Sequence, residues 1–310
     1  MGQHSRKKAQ NGKSGSIREQ VSRANLGSAT LLVDDKELTP VQISSTLREY
    51  ARELGRRGSF IYADARARAF SAGRDTYLGR AWLILQPLID ILLYGLIFGV
   101  VLKTNRGIEN FVGYLVIGIV FFGFFSKQFL HGNGLLRSQK GLLNSFNFPR
   151  ATVVFSGSLR LFFDSLPPAA VALVAALLTQ PSLSVSPKIL VVIPVFILFH
   201  LFGTGAMFFS ARMTALVPDL QAIMKLTSRV LFYLSGIFFS IDRFVNHEIL
   251  KTAMELNPLY QFLSIFRGII LSDSLPSLSA FLGVALWSIL VFTFGFIYFY
   301  LAEGKYGNLR

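Results

Sequence analysis

Cysteine is absent from all 310 residues. No disulfide, thiolate nucleophile or thiolate metal site can therefore be built, and redox compartment cannot be read from the chain. Histidine is scarce: four residues, at positions 4, 131, 200 and 247, with neither zinc-ligand spacing nor an H-E-x-x-H pair. A phosphate cradle of the form G-x-x-x-x-G-K-[ST] is also missing. Gly12-Lys13-Ser14 ends like one, but position 7 is lysine where the first glycine is required. These absences leave no expectation of a hydrolytic or metal enzyme. Any uphill work must draw on a partner or an ion gradient. Acidic residues are the last shortage, 17 against 31 basic, for a net charge of +14.

What is abundant is apolar sequence. The apolar share is 52% and the mean hydropathy +0.50, above the habit of soluble domains. Six runs stand out, at 82–102, 111–130, 151–179, 189–209, 230–241 and 278–301. A span needs roughly 20 mostly apolar residues, because the hydrocarbon layer is about 30 Å thick and a helix rises about 1.5 Å per residue. The fifth run reaches that length only if it extends back through Ala222, over Lys225 and Arg229. Backbone facing lipid must satisfy its own hydrogen bonds, so these are helices. The expectation is an all-α membrane protein with six transmembrane helices.

Residues 1–80 hold 15 Lys/Arg and 8 Asp/Glu but no apolar run after Met1, which argues against a signal peptide and for a cytoplasmic segment. With that end inside, the inner flanks carry about twice the Lys/Arg of the outer loops, so the positive-inside rule places both termini in the cytoplasm. The basic tail lacks interleaved aromatics, and nucleic acid is not an expected partner. Residues 1–40, rich in Ser, Gly, Lys and Gln, read as a disordered basic tail. Over 41–80, Ile43, Leu47, Tyr50 and Leu54 recur at helical spacing, and a second helix follows at 60–70. Aromatic and basic residues just before the first span suit a helix lying in the headgroup layer, or else a solvated linker helix. The membrane domain then occupies 81–303, and 304–310 is a cytoplasmic C-terminus.

Two loops carry apolar residues with no bilayer to enter. Between spans two and three lie Leu142, Leu143, Phe146, Phe148, Pro149 and Arg150, which ask for a partner surface or pack under their own bundle. Between spans five and six lies LYQFLSIFRGIIL, about thirteen residues, too short to cross and read as a re-entrant outer hairpin. Asn257 can cap its start, and Pro258 suits the first helical position.

Charges inside spans are costly and turn toward the bundle or a water path. Arg160 and Asp164 can pair four residues apart. Pro167 and Pro168 are expected to break or kink that helix. Asp90 has no such partner on its own helix. Trp82, Gln86, Asp90, Tyr94 and Phe98 repeat every four residues around it, either as a polar and aromatic conduit for sugar or as a helix-contact face, with Gly95 and Gly99 allowing close approach. Phe232, Tyr233 and Phe239 form a second aromatic segment, open to a pore reading or to a lipid-facing one.

Several local patterns together resemble the permease subunit of ABC-2 type exporters, in particular those for lipid-linked polysaccharides such as O-antigen, teichoic acid and mycobacterial galactan. They are Tyr77-Leu78-Gly79 with Trp82 and Pro87, Leu142-Leu143, Phe148-Pro149-Arg150, Asp219, Asn257-Pro258-Leu259 and Arg267, spread over residues 60–305. Asp64, Arg68 and Arg74 match the family's pattern before the Leu-Gly pair only loosely, and the first forty residues have no counterpart. The resemblance implies a bacterial plasma-membrane protein in which two such chains pair and two separate ABC ATPase subunits dock below, holding ATP and Mg; this chain would hold no cofactor. The loop from Leu142 to Arg150 would meet the ATPase. The hairpin with Asn257, Pro258, Leu259 and Arg267 would form the outer gate. Spans one and five would line the conduit for a polyprenyl-diphosphate-linked polysaccharide. Independently of the resemblance, the charges of Arg74 and Arg80 at the cytoplasmic entrance suit either contact with the diphosphate or positive-inside anchoring. Two rival readings are an exporter of drugs or small lipids with the same fold, and a membrane-embedded enzyme of lipid-linked sugars, for which Asp219 and Asp242 are the available loop carboxylates.

Overall fold

The computed structural model describes residues 46–71, 79, 81–94, 96–97, 108, 110–145, 149–180, 186–239 and 248–308. The expected tail 1–40, Arg74, Arg80, Phe98, Phe146, Phe148 and Asp242 lie outside the described residues, as does the side chain of Tyr94.

The first described helix starts after Thr46 for a local reason. The Thr46 hydroxyl accepts from the Glu49 N–H while the Glu49 carboxylate accepts from the Thr46 N–H at 3.0 Å. This reciprocal cap opens α1 (Leu47–Arg56). α2 (Gly58–Ser71) follows after one residue and carries the ion pair Asp64–Arg68 at 2.8 Å. Both helices fall where the spacing predicts them.

The bundle is made of α3 (Ala81–Tyr94), α4 (Phe111–His131), α7 (Ala151–Leu178), α8 (Val192–Leu216, led in by the 3-10 turn Pro187–Val191), α9 (Leu220–Leu234), α11 (Pro258–Leu271) and α12 (Leu278–Tyr300). Two short helices, α5 (Leu135–Ser138) and α6 (Lys140–Ser145), lie between α4 and α7. α10 (Glu248–Glu255) precedes α11, and a 3-10 helix, Glu303–Asn308, follows α12. Every element among the described residues is helical or turn.

Four helices are long and apolar enough to cross a membrane: Phe111–His131, Ala151–Leu178, Pro187–Leu216 and Leu278–Tyr300. They correspond to the second, third, fourth and sixth expected spans, and they make the chain an integral membrane protein. Of the first expected span α3 is the part described, 14 residues, most of 95–102 lying outside the described residues; in place of the fifth stands α9, of 15 residues. α9 covers only about 22 Å at 1.5 Å per residue. It stops because Gly236 takes a φ of +63°, a left-handed value that favours glycine and turns the chain out of the helix.

α4 and α8 are the centre: 67% and 50% of their most apolar windows are buried, against 28% for α7 and 17% for α12. Phe121 of α4 packs on Phe266 of α11 (ring centroids 4.2 Å apart) and on Phe196 of α8 (6.1 Å). α8 and α12 meet at Gly205 and Gly295, where a Cβ on either glycine would strike the other helix's backbone. Pro167 and Pro168 do not break α7, which runs unbroken from Ala151 to Leu178. Packed neighbouring helices tolerate the missing N–H groups of a membrane helix, which here leave the carbonyls of Phe163 and Asp164 without their usual backbone donors. Arg160 and Asp164 do pair, at 3.4 Å.

Candidate functional site

The α3 stripe divides. Trp82 (48% exposed) and Gln86 face outward, together with Ile89, Leu92 and Leu93. Asp90 instead turns toward α4. It lines a pocket of about 10 Å³ otherwise walled by Ile91, Val112, Leu115, Val116, Ile119 and Val120. That is close to the smallest volume that holds one water. The cation whose field reaches Asp90 is Lys127 of α4. A search confined to spacing within one helix misses Lys127, although a lone lysine inside an apolar run is itself a signal of a cross-helix partner.

α9 touches α4 along a narrow seam. Ser228 Oγ lies 2.7 Å from Ser126 Oγ, and the Phe232 ring packs on Phe122 at 5.2 Å. Its other side is open. Ile223, Leu226, Val230, Tyr233 and Leu234 are each about half exposed, and Lys225 and Arg229 are exposed on the same helix. Phe239 is half-buried beyond the turn, its carbonyl accepting from Tyr114 Oη at 2.8 Å.

The Asn257 hairpin is anchored to that turn. Asn257 caps α11 by accepting from the Leu259 N–H and donates to the Leu234 carbonyl at 3.2 Å, while Pro258 occupies the first turn of α11. Leu259 and Arg267 are buried. The Arg267 guanidinium lies over the Tyr114 ring, 3.4 Å from its centroid, and donates to the carbonyls of Gly236 (3.0 Å), Ile237 (3.5 Å) and Tyr114 (3.3 Å). No carboxylate among the described residues pairs with it. Carbonyls left over where α9 ends carry partial negative charge, which suits a cation. α11 packs against α4 and α8, where Phe262 and Phe266 find ring partners.

A second node closes the other end of the bundle. Leu142 and Leu143 are half-buried and pack on the cluster formed by Tyr50, Leu135, Leu136, Phe208 and Phe299. Pro149 is buried, and Arg150 follows at the start of α7. Glu303, 5% exposed, accepts from the Arg150 N–H at 2.8 Å and from Tyr50 Oη at 2.8 Å, and it pairs with the Arg150 guanidinium at 3.5 Å. Tyr50 Oη in turn accepts from the Ala151 N–H at 3.1 Å. Burial pushes the Glu303 carboxyl above its usual range, opposed by the Arg150 and Tyr50 hydrogen bonds. Burial and the Glu303 charge raise the Tyr50 phenol as well. Glu303 and Tyr50 escape a reading by sequence alone because 253 residues separate them. The available hint is a lone acid between aromatics, Tyr300 and Tyr306, just past an apolar run.

Comparison with known proteins agrees with this architecture. Residues 62–271 match the family model described as ABC-2 type transporter. The chain is also 25% identical over 249 residues to the O-antigen export system permease protein RfbA of Myxococcus xanthus, an alignment covering 79% of this chain and 91% of that one. With four apolar helices of spanning length and a family match over more than half its residues, the chain belongs to the ABC-2 type transporter family.

Proposed function

We propose that this chain is the transmembrane subunit of an ATP-driven exporter of an O-antigen-like surface polysaccharide, carried on a polyprenyl diphosphate and moved outward across the bacterial plasma membrane. The observation that carries the reading is the near full-length similarity to a permease named for O-antigen export. ATP and Mg belong to two partner ATPase subunits, in keeping with the missing phosphate cradle. The segment from Leu142 to Arg150 meets the ATPase, both termini are cytoplasmic, and 1–40 is a tail. Two copies pair through the open sides of α3 and α9. Support comes from the exposed face of α9, where Lys225 and Arg229 alternate with Leu226, Val230 and Tyr233. A cation at the bilayer centre costs about 2.5–3.5 kcal/mol on insertion scales, so such a face is better placed on a partner or a wet path than on lipid. Trp82, Gln86, Tyr94, Phe98, Phe232, Tyr233 and Phe239 offer the sugar its polar and stacking contacts. Asn257, Pro258, Leu259 and Arg267 form the outer gate, while Arg74 and Arg80 wait at the inner entrance.

The test is depletion of the chain in its own cells with a rescue copy. Loss of surface polysaccharide, with lipid-linked polymer accumulating inside and both reversed by the rescue copy, is the expected result. Normal surface polymer together with loss of efflux of a drug or a small lipid would move the reading to the same-fold alternative.

A further inference from the structure

The seam between α4 and α9 has a basic side that contacts within the chain leave unused. Ser126 meets Ser228 and Phe122 meets Phe232, so the two helices run antiparallel. Each residue turns a helix by about 100°. Lys127, just after Ser126, and Arg229, just after Ser228, therefore swing to the same side of the seam. Lys225, three residues before Ser228, joins them there. Along the helix axes the three positions fall within about 6 Å of one another. All three side chains are exposed on the single chain. Leu226, Val230 and Tyr233 point roughly a quarter-turn away round α9, so the basic side is distinct from the apolar open side.

Acids are few around it. No ion pair among the described residues includes Lys127, Lys225 or Arg229. The field of Lys127 reaches Asp90 of α3, which makes α3 the other wall of the groove. Asp219, at the start of α9, stands about 9 Å along the helix from Lys225 and about 120° round it. Even with Asp90 counted as fully charged, the groove keeps an excess of two positive charges.

One lysine near the end of a span is accounted for by reaching toward the headgroups. Three cations from two helices, turned to one side of one seam, call for an anion. Lys127 lies about 6 Å inside the His131 end of α4, the cytoplasmic end in the topology proposed above. The anions at that depth are lipid phosphates. A diphosphate joined at both ends carries two negative charges, which matches the excess, where a phospholipid phosphate carries one. An arginine fork and two mobile ammonium groups suit phosphate oxygens.

We infer that Lys127, Lys225 and Arg229 receive the diphosphate of a polyprenyl carrier in the groove between α3 and α9. The inference rests on the exporter reading above and adds the residues that hold the anionic group of its cargo.

Delipidated full-length protein is to be incubated with farnesyl diphosphate, phosphatidylglycerol and farnesol, and read by native mass spectrometry. Farnesyl diphosphate should be retained above phosphatidylglycerol, and phosphatidylglycerol above farnesol. Lys127→Gln/Lys225→Gln/Arg229→Gln should hold about tenfold less farnesyl diphosphate, while Lys225→Arg/Arg229→Lys, which keeps every charge, should match the wild type. Should the triple variant not fold, Arg229→Gln alone, at an exposed position, carries the same comparison. In cells the triple variant should lower surface polysaccharide at unchanged abundance, with the charge-preserving variant exporting normally. Phosphatidylglycerol retained as well as farnesyl diphosphate would make the groove an ordinary phospholipid anchor and overturn the inference. Farnesol retained as well, or adducts unchanged in the triple variant, would do the same. Normal export by the triple variant in cells where depletion of the chain abolishes export would also overturn it, and would leave the exporter reading intact. If depletion itself leaves surface polymer unchanged, the exporter reading falls and the adducts alone decide the site.

Discussion

α9 and α11 are nearly equal in length, 15 and 14 residues, and both are apolar, yet α11 buries eight side chains and α9 two. Hydrophobicity therefore does not tell the two apart. Companionship does. α11 turns Phe262 and Phe266 into an aromatic cluster with Phe121, Phe199 and Phe202, so its contacts are complete within one chain. α9 meets α4 along one seam and leaves Leu226, Val230 and Tyr233 open beside Lys225 and Arg229. A wedge and an unfinished surface have opposite sensitivities to mutation, which makes the contrast testable.

The largest effect is expected in the wedge. Phe266→Ala removes a fully buried ring and should cost about 3–5 kcal/mol. Tyr233→Ala, on the open side, should stay within about 0.5 kcal/mol while lowering export. Thermal unfolding in detergent, followed beside surface polysaccharide, separates the two; equal destabilisation would erase the distinction between the helices.

Next comes the clamp joining them. Arg267→Met leaves the Gly236 carbonyl with Tyr114 Oη alone and deprives those of Ile237 and Tyr114 of a donor. Each buried acceptor left without a partner costs about 1–3 kcal/mol. The variant should lose stability, and protease should cut first near Gly236. A variant as stable as the wild type, with unchanged cleavage, would reduce Arg267 to a bystander.

The smallest effect is at the opposite node and depends on pH. The folded carboxyl of Glu303 titrates above its unfolded value, because burial outweighs its hydrogen bonds. The folded chain therefore holds a proton that the unfolded chain has released. Its contribution is present at low pH and is lost as pH rises from the ordinary carboxylate range through the raised value. Melting temperatures of wild type and Glu303→Gln across pH 4–8 should differ in slope, the wild type falling faster as pH rises. Parallel curves would show that Glu303 does not titrate on unfolding in that range.

Sequence made the local features legible and hid the distant ones. The Asn257-Pro258 start of α11 and the Arg160–Asp164 pair are set by spacings of one to four residues. Four long apolar helices declare themselves by composition. The short length of α9 did not, because it follows from a backbone turn at Gly236 that Arg267 and Tyr114 hold from elsewhere in the chain. The Glu303 node and the field of Lys127 at Asp90 are equally non-local. The unbroken α7 is the converse case: of the two outcomes expected of Pro167 and Pro168, a break or a kink, the break does not occur, because the surrounding bundle supports the helix.

The central claim is that two copies meet through α3 and α9 while α11 stays internal. The chain contains no cysteine of its own, so introduced cysteines report without background. Two differently tagged copies are to be co-expressed in cells, one carrying cysteine at Leu92 or Leu93 of α3, the other at Leu226 or Tyr233 of α9, with Phe262 and Phe266 of α11 as internal controls. The account predicts oxidative cross-links between tags for α3–α9 pairs and none for α11. Absence of every α3–α9 cross-link in copies that still co-purify, or efficient cross-linking through α11, would contradict it.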